Sequence, residues 1–450
     1  MFRNLVKAII PARVFRTIEP YGHLAEAIVW QTVMAYPAAG LKVIGVTGTD
    51  GKTTTATMIY AMLNDAGIKT GLMTTIGYGT PAHWRENVVH MTTMPTHAML
   101  ERIKELKAEG IEWLVLETTS HALAQNRVWG IDYSLAVMTN VTHEHLDYHG
   151  TFERYRAAKR RLFEMAAGNK RGVVPIRGII NGDDPSADYM AEPTGPNHLR
   201  YSLEHGDIAA SNVRPEGGGS AFTVTTSDEG SFEVRIHLPG TFNVSNALAA
   251  VGVGMALDLE NEAIAKGLAA LKSVEGRMNA IDEGQDFAVI VDFAHTPDSF
   301  EKILSSMRAT AKGRLIVMFG SAGRRDEAKR GQQGHSAGKW ADVVVVTEED
   351  DRDVDGQGIM DQIAGGASQE GKVLGTDLFM VHDRTEAIRF AIGQARAGDT
   401  VMLLGKGHEK TIEGADGERP WDEAAAARAA IAARLAGIQG QGGAADTAAT

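Results

Sequence analysis

Short apolar runs that end in glycine alternate with stretches of helical period along most of the chain. The run "LKVIGVTG" (41–48) is β-rich, and "KTTTATMIYAMLNDAGI" follows it with Met58, Ile59, Met62 and Leu63 at helical spacing. The same alternation predicts a helix over 96–109, strands at "WLVLET" (113–118) and "YSLAVMTN" (133–140), and a helix over 151–165. This is the βαβ rhythm of a parallel sheet covered by helices. Residues 199–238 break it. "FTVTT" and "FEVRIHL" are short alternating strands separated by "SDEGS" and preceded by "PEGGGS", which predicts a small antiparallel insertion. Helical spacing returns at 243–257 and 261–274.

A second α/β unit begins near 276. Strand "FAVIVDFA" (287–294) precedes a helix over 297–311. "RLIVMFGS" (314–321) precedes a basic loop, "DVVVVTEE" (342–349) an acidic one, and "DTVMLLGKG" (399–407) comes last. The expected fold class is α/β. A central P-loop-type, mostly parallel sheet with a small antiparallel insertion precedes a doubly wound, Rossmann-like α/β domain whose ligands bind at the carboxyl ends of its strands. The expected boundaries are a short helical segment at 1–40, a central domain at 41–275, a second domain at 276–435 and a disordered tail at 436–450, where "GIQGQGGAADTAAT" is small, polar and Gly-rich. No internal repeat is visible.

Composition narrows the function. The 450 residues suffice for two or three domains, with 44% hydrophobic and 23% charged residues. A net charge of −12 argues against nucleic-acid partners. The absence of cysteine excludes disulfides, thiol nucleophiles and cysteine-bound zinc, and fits a cytoplasmic protein. No apolar run reaches transmembrane length. The start, "MFRNLVKAIIPARVFRTI", carries Arg3, Lys7, Arg13 and Arg16 among apolar residues, but Pro11 breaks it too early for a signal peptide. Two readings stay open for it: a helix docked on the protein's own surface, or one in which residues 1–20 touch anionic lipid. A monomer is expected.

Candidate chemistry starts in "GVTGTDGKTTTA" (45–56). A phosphate loop reads G-x-x-x-x-G-K-[ST], yet Val46 stands where its first glycine belongs and Gly48 gives a tighter loop. Backbone N–H groups from Gly48 through Thr49, Asp50, Gly51 and Lys52 to Thr53 would wrap a phosphate, with Thr54 next in the helix. Lys52 would neutralise phosphate charge and Thr53 would hold Mg²⁺. In "LETTSHALAQNR" (116–127), Glu117 ends a strand, where a carboxylate reaches a metal beside the phosphates; read alone, it serves equally as a helix cap. "MTNVTHEHLDYHG" (138–150) holds His143, His145 and His149 with Glu144 and Asp147. Spacing alone allows a zinc site, a Mg²⁺ site or a surface histidine cluster.

The ordered set "GTDGKTT", "ETTSHAL", "TNVTHEHLDYHGTFERYRAAKRRLF", "LPGTFNVSNALAA", "VEGRM", "VDFAHTPDSFEKIL" and "GKGHE" resembles the Mur ligases over about residues 41–430, and within them the members that add the third residue of the peptidoglycan stem peptide. The resemblance implies that ATP drives formation of an amide bond through an acyl phosphate, with two domains closing over the nucleotide. It implies that Lys52 and Thr53 bind phosphates and Mg²⁺, and that Glu117 and His145 ligate a second Mg²⁺ together with Lys159, carbamylated by CO₂. Asn243, Asn246, Arg277 and Asp292, with His295 in the same loop, would contact ATP. Thr92, Thr93, Thr119, Gln125 and Arg127 would hold the muropeptide acceptor. Arg325, Arg352, Gly405 and Glu409, with Glu349 heading the same acidic run as Arg352, would bind the incoming amino acid, meso-diaminopimelate in preference to L-lysine. There Glu409 would accept from an ammonium and Arg352 would grip a carboxylate.

The chain departs from that pattern in places. Glu144 replaces the family's aspartate before His145, and the D-N-P-R element reads Glu349-Asp350-Asp351-Arg352, without its proline. Only about forty residues precede the first ATPase strand, so a separate uridine-binding domain is not expected and dependence on the UDP moiety should be weak. Two rivals remain: a ligase acting on a lipid-linked or other non-UDP carboxylate acceptor, and a P-loop ATPase partner protein without ligase activity.

Overall fold

The structure is a computed structural model that describes residues 12–87, 91–172, 174–216, 218–227 and 230–445. The chain divides into two compact units near Lys272/Ser273, with short segments around 217–219 and 238–242 counted with the second.

The first unit is built on one sheet. Its strands are β1 (Lys42–Thr47), β2 (Thr70–Met73), β3 (Gly77–Gly79), β4 (Trp84–Glu86), β5 (Trp113–Glu117), β6 (Tyr133–Met138), β7 (Gly178–Asn181), β8 (His198–Ser202), β9 (Ile208–Glu216), β10 (Gly219–Thr226) and β11 (Ser231–Ile236). They lie in the order β11-β10-β9-β8-β7-β6-β1-β5-β2-β3-β4. From β9 to β2 every measured pairing is parallel. The central strands read "KVIGVT", "WLVLE" and "YSLAVM" and are buried nearly throughout, as strands covered on both faces must be. The expected antiparallel segment forms no separate layer. β8 and β9 extend the parallel sheet, and β10–β11 is the antiparallel pair. The chain leaves β1 towards β2 on one side and later returns to β6 on the other. The loop after β1 therefore lies at a switch point, where an open α/β sheet forms a crevice.

The second unit carries β12 (Asn279–Ile281), β13 (Ala288–Asp292), β14 (Leu315–Phe319), β15 (Val343–Val346), β16 (Leu378–Met380) and β17 (Thr400–Leu404), in the order β12-β13-β17-β14-β15-β16. All are parallel except β12. A hairpin of β18 (Thr411–Gly414) and β19 (Gly417–Pro420) follows. The core packs Val289, Val291, Ile316, Met318, Val345 and Leu403 against Ile388, Ile392 and Ile431.

At the C-terminal end the expectation differs from the structure. The tail expected to be disordered from 436 is helical as far as Ala445, because the alanine- and arginine-rich run "EAAAARAAIAARLAG" carries helix propensity past the first tail glycines. Residues 446–450 lie outside the described residues, as does the start of the basic N-terminal segment up to residue 11. A helix spans Ala12–Val33. No helix among the described residues is long and apolar enough to cross a membrane.

Candidate active site

The shortened loop does form a strand–loop–helix turn. Gly51 stands before the helix Lys52–Asp65 with φ +78°, and a Cβ there would collide with the Asn246 side chain. Asn246 in turn accepts from Thr55 Oγ at 3.2 Å and donates to Asn243 Oδ1 at 3.2 Å, so the expected asparagine pair lies against the loop. Neighbouring strand ends hold the loop in shape. Thr49 N–H donates to the Asn140 carbonyl at 2.8 Å, Asp50 N–H to Asn140 Oδ1 at 3.0 Å, and Thr139 Oγ to the Asp50 carbonyl at 2.5 Å. Lys52 Nζ folds back onto the Thr49 carbonyl at 2.7 Å.

Glu117 is buried at the end of β5, and one of its oxygens is crowded. Oε2 accepts from Thr53 Oγ at 2.9 Å and from Thr75 N–H at 3.0 Å, and lies 3.1 Å from Thr75 Oγ. Oε1 receives no hydrogen bond among the described residues. Thr75 Oγ also lies 3.0 Å from Thr92 Oγ, and its one proton serves one neighbour at a time. Thr93 Oγ donates to the Glu117 carbonyl at 3.0 Å and meets Thr119 Oγ at 3.1 Å. The expected acceptor segment is thus tied to the carboxylate that faces the loop. Arg127 spends its guanidinium on the carbonyls of Thr93 and Met94. Gln125 is buried at the end of the short helix Ser120–Ala124.

Lys159 lies on the helix Phe152–Ala167 and is 1% exposed. Its Nζ donates to the Gly48 carbonyl and sits 4.5 Å from the Tyr155 ring. Burial first, and then the Lys52 ammonium, pull its pKa well below the usual lysine range. His145 is different: it is 43% exposed beside Glu144 at 3.5 Å, and its ring packs against His121 at 4.7 Å. No group of three His, Asp or Glu side chains among the described residues is placed to hold a metal ion, so Glu117 and His145 do not make such a centre by themselves.

The remaining expected residues lie on the second unit. Asp292 accepts from Met278 N–H and Ala294 N–H, both at 2.7 Å. The Arg277 guanidinium covers the Phe293 ring at 4.7 Å, and His295 Nδ1 is 3.0 Å from the Phe293 carbonyl. His408 packs on the same ring, and burial and then Arg277 push its pKa down to about 3. Glu349 is buried against Gly405, where a Cβ would collide with its carboxylate. Burial raises its pKa, although Lys329, Arg384 and Lys406 oppose the rise. Arg352 is already engaged: Nε donates to Glu413 Oε2 at 2.7 Å and Nη1 to the Gly323 carbonyl at 2.7 Å. Glu409 Oε2 lies 2.6 Å from Lys406 Nζ, while Arg325 stands exposed.

Comparison with known proteins places this pair of units. Residues 46–254 match the family description "Mur ligase middle domain", and residues 276–407 match "Mur ligase, glutamate ligase domain". A UDP-N-acetylmuramyl-tripeptide synthetase of Roseiflexus sp. (strain RS-1) is 41% identical over 422 residues, covering 92% of this chain and 83% of that protein. The chain belongs to the Mur ligase family. A UDP-N-acetylmuramoyl-L-alanyl-D-glutamate–2,6-diaminopimelate ligase of Geobacillus kaustophilus (strain HTA426) is 40% identical over 91% of this chain and 83% of its own length. A solved structure of a ligase with that same description superposes with a TM-score of 0.64 at 30% identity, covering 93% of this chain and 83% of its own.

Mur ligases use ATP and Mg²⁺, and the residues of this Mur ligase fit a magnesium ion. Glu117 Oε1 and the Thr53 hydroxyl are hard oxygen donors at the helix start, the chemistry Mg²⁺ prefers. Sequence reasoning missed Thr75, because nothing in "MTTIGYG" marks the turn between β2 and β3. Nothing in "GKGHE" marks Lys406 as the partner of Asp350. The buried ion pair of Arg384 with Glu423, at 2.7 Å, escaped sequence reasoning as well.

Proposed function

We propose that this Mur ligase joins an amino acid, meso-diaminopimelate in preference to L-lysine, to the D-Glu carboxylate of a MurNAc-L-Ala-D-Glu acceptor, cleaving ATP to ADP and phosphate. The names of the similar ligases support this substrate pair. The observation that carries it is the hydroxyl-and-carboxylate chain Thr53–Glu117–Thr75–Thr92, which links the phosphate loop to the acceptor segment. An acceptor carboxylate bound there lies beside the phosphate to be transferred. Its oxygen attacks the γ-phosphorus of ATP and the bond to ADP breaks, leaving an acyl phosphate. The amine nitrogen then attacks the acyl carbon, phosphate leaves, and the nitrogen gives up its proton. Loop N–H groups and Lys52 bear the phosphate charge. Mg²⁺, held by Thr53 and Glu117, would supply charge neutralisation at the phosphates.

Lys159 is read as a carbamate. A buried ammonium whose described acceptor is one carbonyl is costly to keep charged. As a neutral amine it would attack CO₂, losing a proton and becoming an anion suited to a cation. His145 is its proposed co-ligand. The test is incubation with ATP, Mg²⁺ and UDP-MurNAc-L-Ala-D-Glu while the amine is varied, with products read by mass. The tripeptide should form with diaminopimelate, one phosphate released per amide. Steady phosphate release without acceptor or amine would overturn the ligase reading.

A further inference from the structure

Lys406 is 1% exposed, and its ammonium lies between two carboxylates: 2.9 Å from Asp350 Oδ1 and 2.6 Å from Glu409 Oε2. Asp350 Oδ1 also accepts the Glu413 N–H at 3.0 Å. Glu409 Oε1 and Asp350 Oδ2 receive no hydrogen bond among the described residues. The lysine therefore joins the loop after β15 to the loop after β17 and leaves Glu409 one oxygen to offer.

We propose that Lys406 is a specificity-determining residue. As a fixed counter-ion it cancels enough negative charge beside Glu409 that the site favours an amine whose far end is zwitterionic over one whose far end is a bare cation. This rests on the reading that residues 349–352 and 405–409 hold the amino acid. The charge arrangement carries it. Glu348, Glu349, Asp350, Asp351 and Glu409 crowd these two loops with acid. Arg352 gives its guanidinium to Glu413, Arg384 gives its own to Glu423, Arg419 pairs with Glu348, His382 Nε2 stands 3.9 Å from Asp351, and Lys329 and Arg384 act on Glu349, which leaves Asp350 and Glu409 to Lys406. Lys406 is the cation seated directly on Glu409. Without it the uncompensated carboxylates of Asp350 and Glu409 would draw the distal ammonium of L-lysine, and a distal carboxylate would be repelled.

Two variants move the charge in opposite directions. Lys406→Met removes the cation, and Asp350→Asn removes one of its two acids while keeping an acceptor for the Glu413 N–H. The readout is the ratio of kcat/KM for meso-diaminopimelate to that for L-lysine, with unfolding of each variant followed by circular dichroism. Lys406→Met should lower the ratio by about tenfold or more, and Asp350→Asn should raise it. A structural role alone would lower both amines in parallel and leave the ratio fixed, which overturns the proposal. If Lys406→Met does not fold, Asp350→Asn decides on the same criterion. Glu409→Gln separates the two readings. If it leaves KM for both amines unchanged, the loops do not hold the amino acid, and the site reading falls together with the role of Lys406. If it raises KM while the ratio stays fixed in Lys406→Met, the site stands and only Lys406 is wrong.

Discussion

Each unit presents a carboxylate with one oxygen pinned and the other open, but they pin it by different means. Glu117 is held by uncharged donors, the hydroxyls of Thr53 and Thr75 and the Thr75 N–H, in a region rich in buried threonine: Thr47, Thr49, Thr53, Thr54, Thr55, Thr74, Thr93, Thr118 and Thr139. Glu409 is held by a buried lysine among Glu349, Arg384 and Glu423. Neutral donors orient a carboxylate and leave it a full negative charge, which suits a divalent cation beside phosphates. A cationic partner orients it too and lowers the local charge, which suits one ammonium. What stands behind the same side chain thus decides which ligand it would suit.

The comparison is tested most severely at Lys159, a cation buried against the phosphate loop through the Gly48 carbonyl. If Lys159 is the proposed carbamate, Lys159→Ala should lower kcat by at least about a hundredfold, since it removes an anion that helps bind charge at the phosphates. Added formate or acetate should recover part of the loss by entering the emptied space. Lys52→Ala should lose as much and recover nothing, because a carboxylate cannot replace an ammonium. Full activity in Lys159→Ala would mean that no carbamate forms there, and the charge beside the phosphate loop would then rest on Glu117 alone.

A smaller effect is expected at Arg352, on the charged side. Its fork already grips Glu413, so a distal carboxylate of the substrate must take the place of that partner or share it. Truncating a charge-assisted contact in a desolvated site costs roughly 2–5 kcal/mol. Arg352→Ala should therefore cut kcat/KM for diaminopimelate by about thirtyfold or more, with L-lysine turnover nearly unchanged. Equal losses for both amines would show that Arg352 only braces the loop through Glu413.

These two regions were also unequally legible. The loop and the Glu117 strand end follow from short motifs on strands and helices, periodicity placed the elements that carry them, and the asparagine pair comes from the resemblance to the Mur ligases. For Lys159 the sequence carries a signal besides the resemblance. The residue falls on the buried stripe Tyr155, Ala158, Leu162, Phe163 and Ala166, where an unpaired surface lysine does not belong. The second unit resisted because its site is a set of ion pairs between loops far apart in sequence: Asp350 with Lys406, Arg352 with Glu413, Arg384 with Glu423. A string of acids reads as a solvated face until the folded chain brings a cation onto it. The tail misled for a simpler reason, since glycine counts outweighed a long alanine-rich approach.

The smallest predicted effect is at Thr75, and it tests whether neutral donors hold Glu117. Thr75→Val keeps the shape and the N–H, so Glu117 Oε2 retains Thr53 Oγ and one amide and loses one hydroxyl. A hydrogen bond to a charged group contributes about 1.5–3 kcal/mol, and part of that loss should appear as weaker aim at the metal. The Mg²⁺ concentration for half-maximal activity should rise by about tenfold. Mn²⁺ binding followed by electron paramagnetic resonance, with no turnover required, should weaken by a similar factor. Thr75→Ser should restore both, because it returns the hydroxyl and not the methyl. If valine and serine behave alike and Mn²⁺ affinity does not move, Thr75 merely packs between β2 and β3. The aim of Glu117 would then rest on Thr53 and the backbone alone, and the contrast with the lysine-held Glu409 would lose one of its two supports.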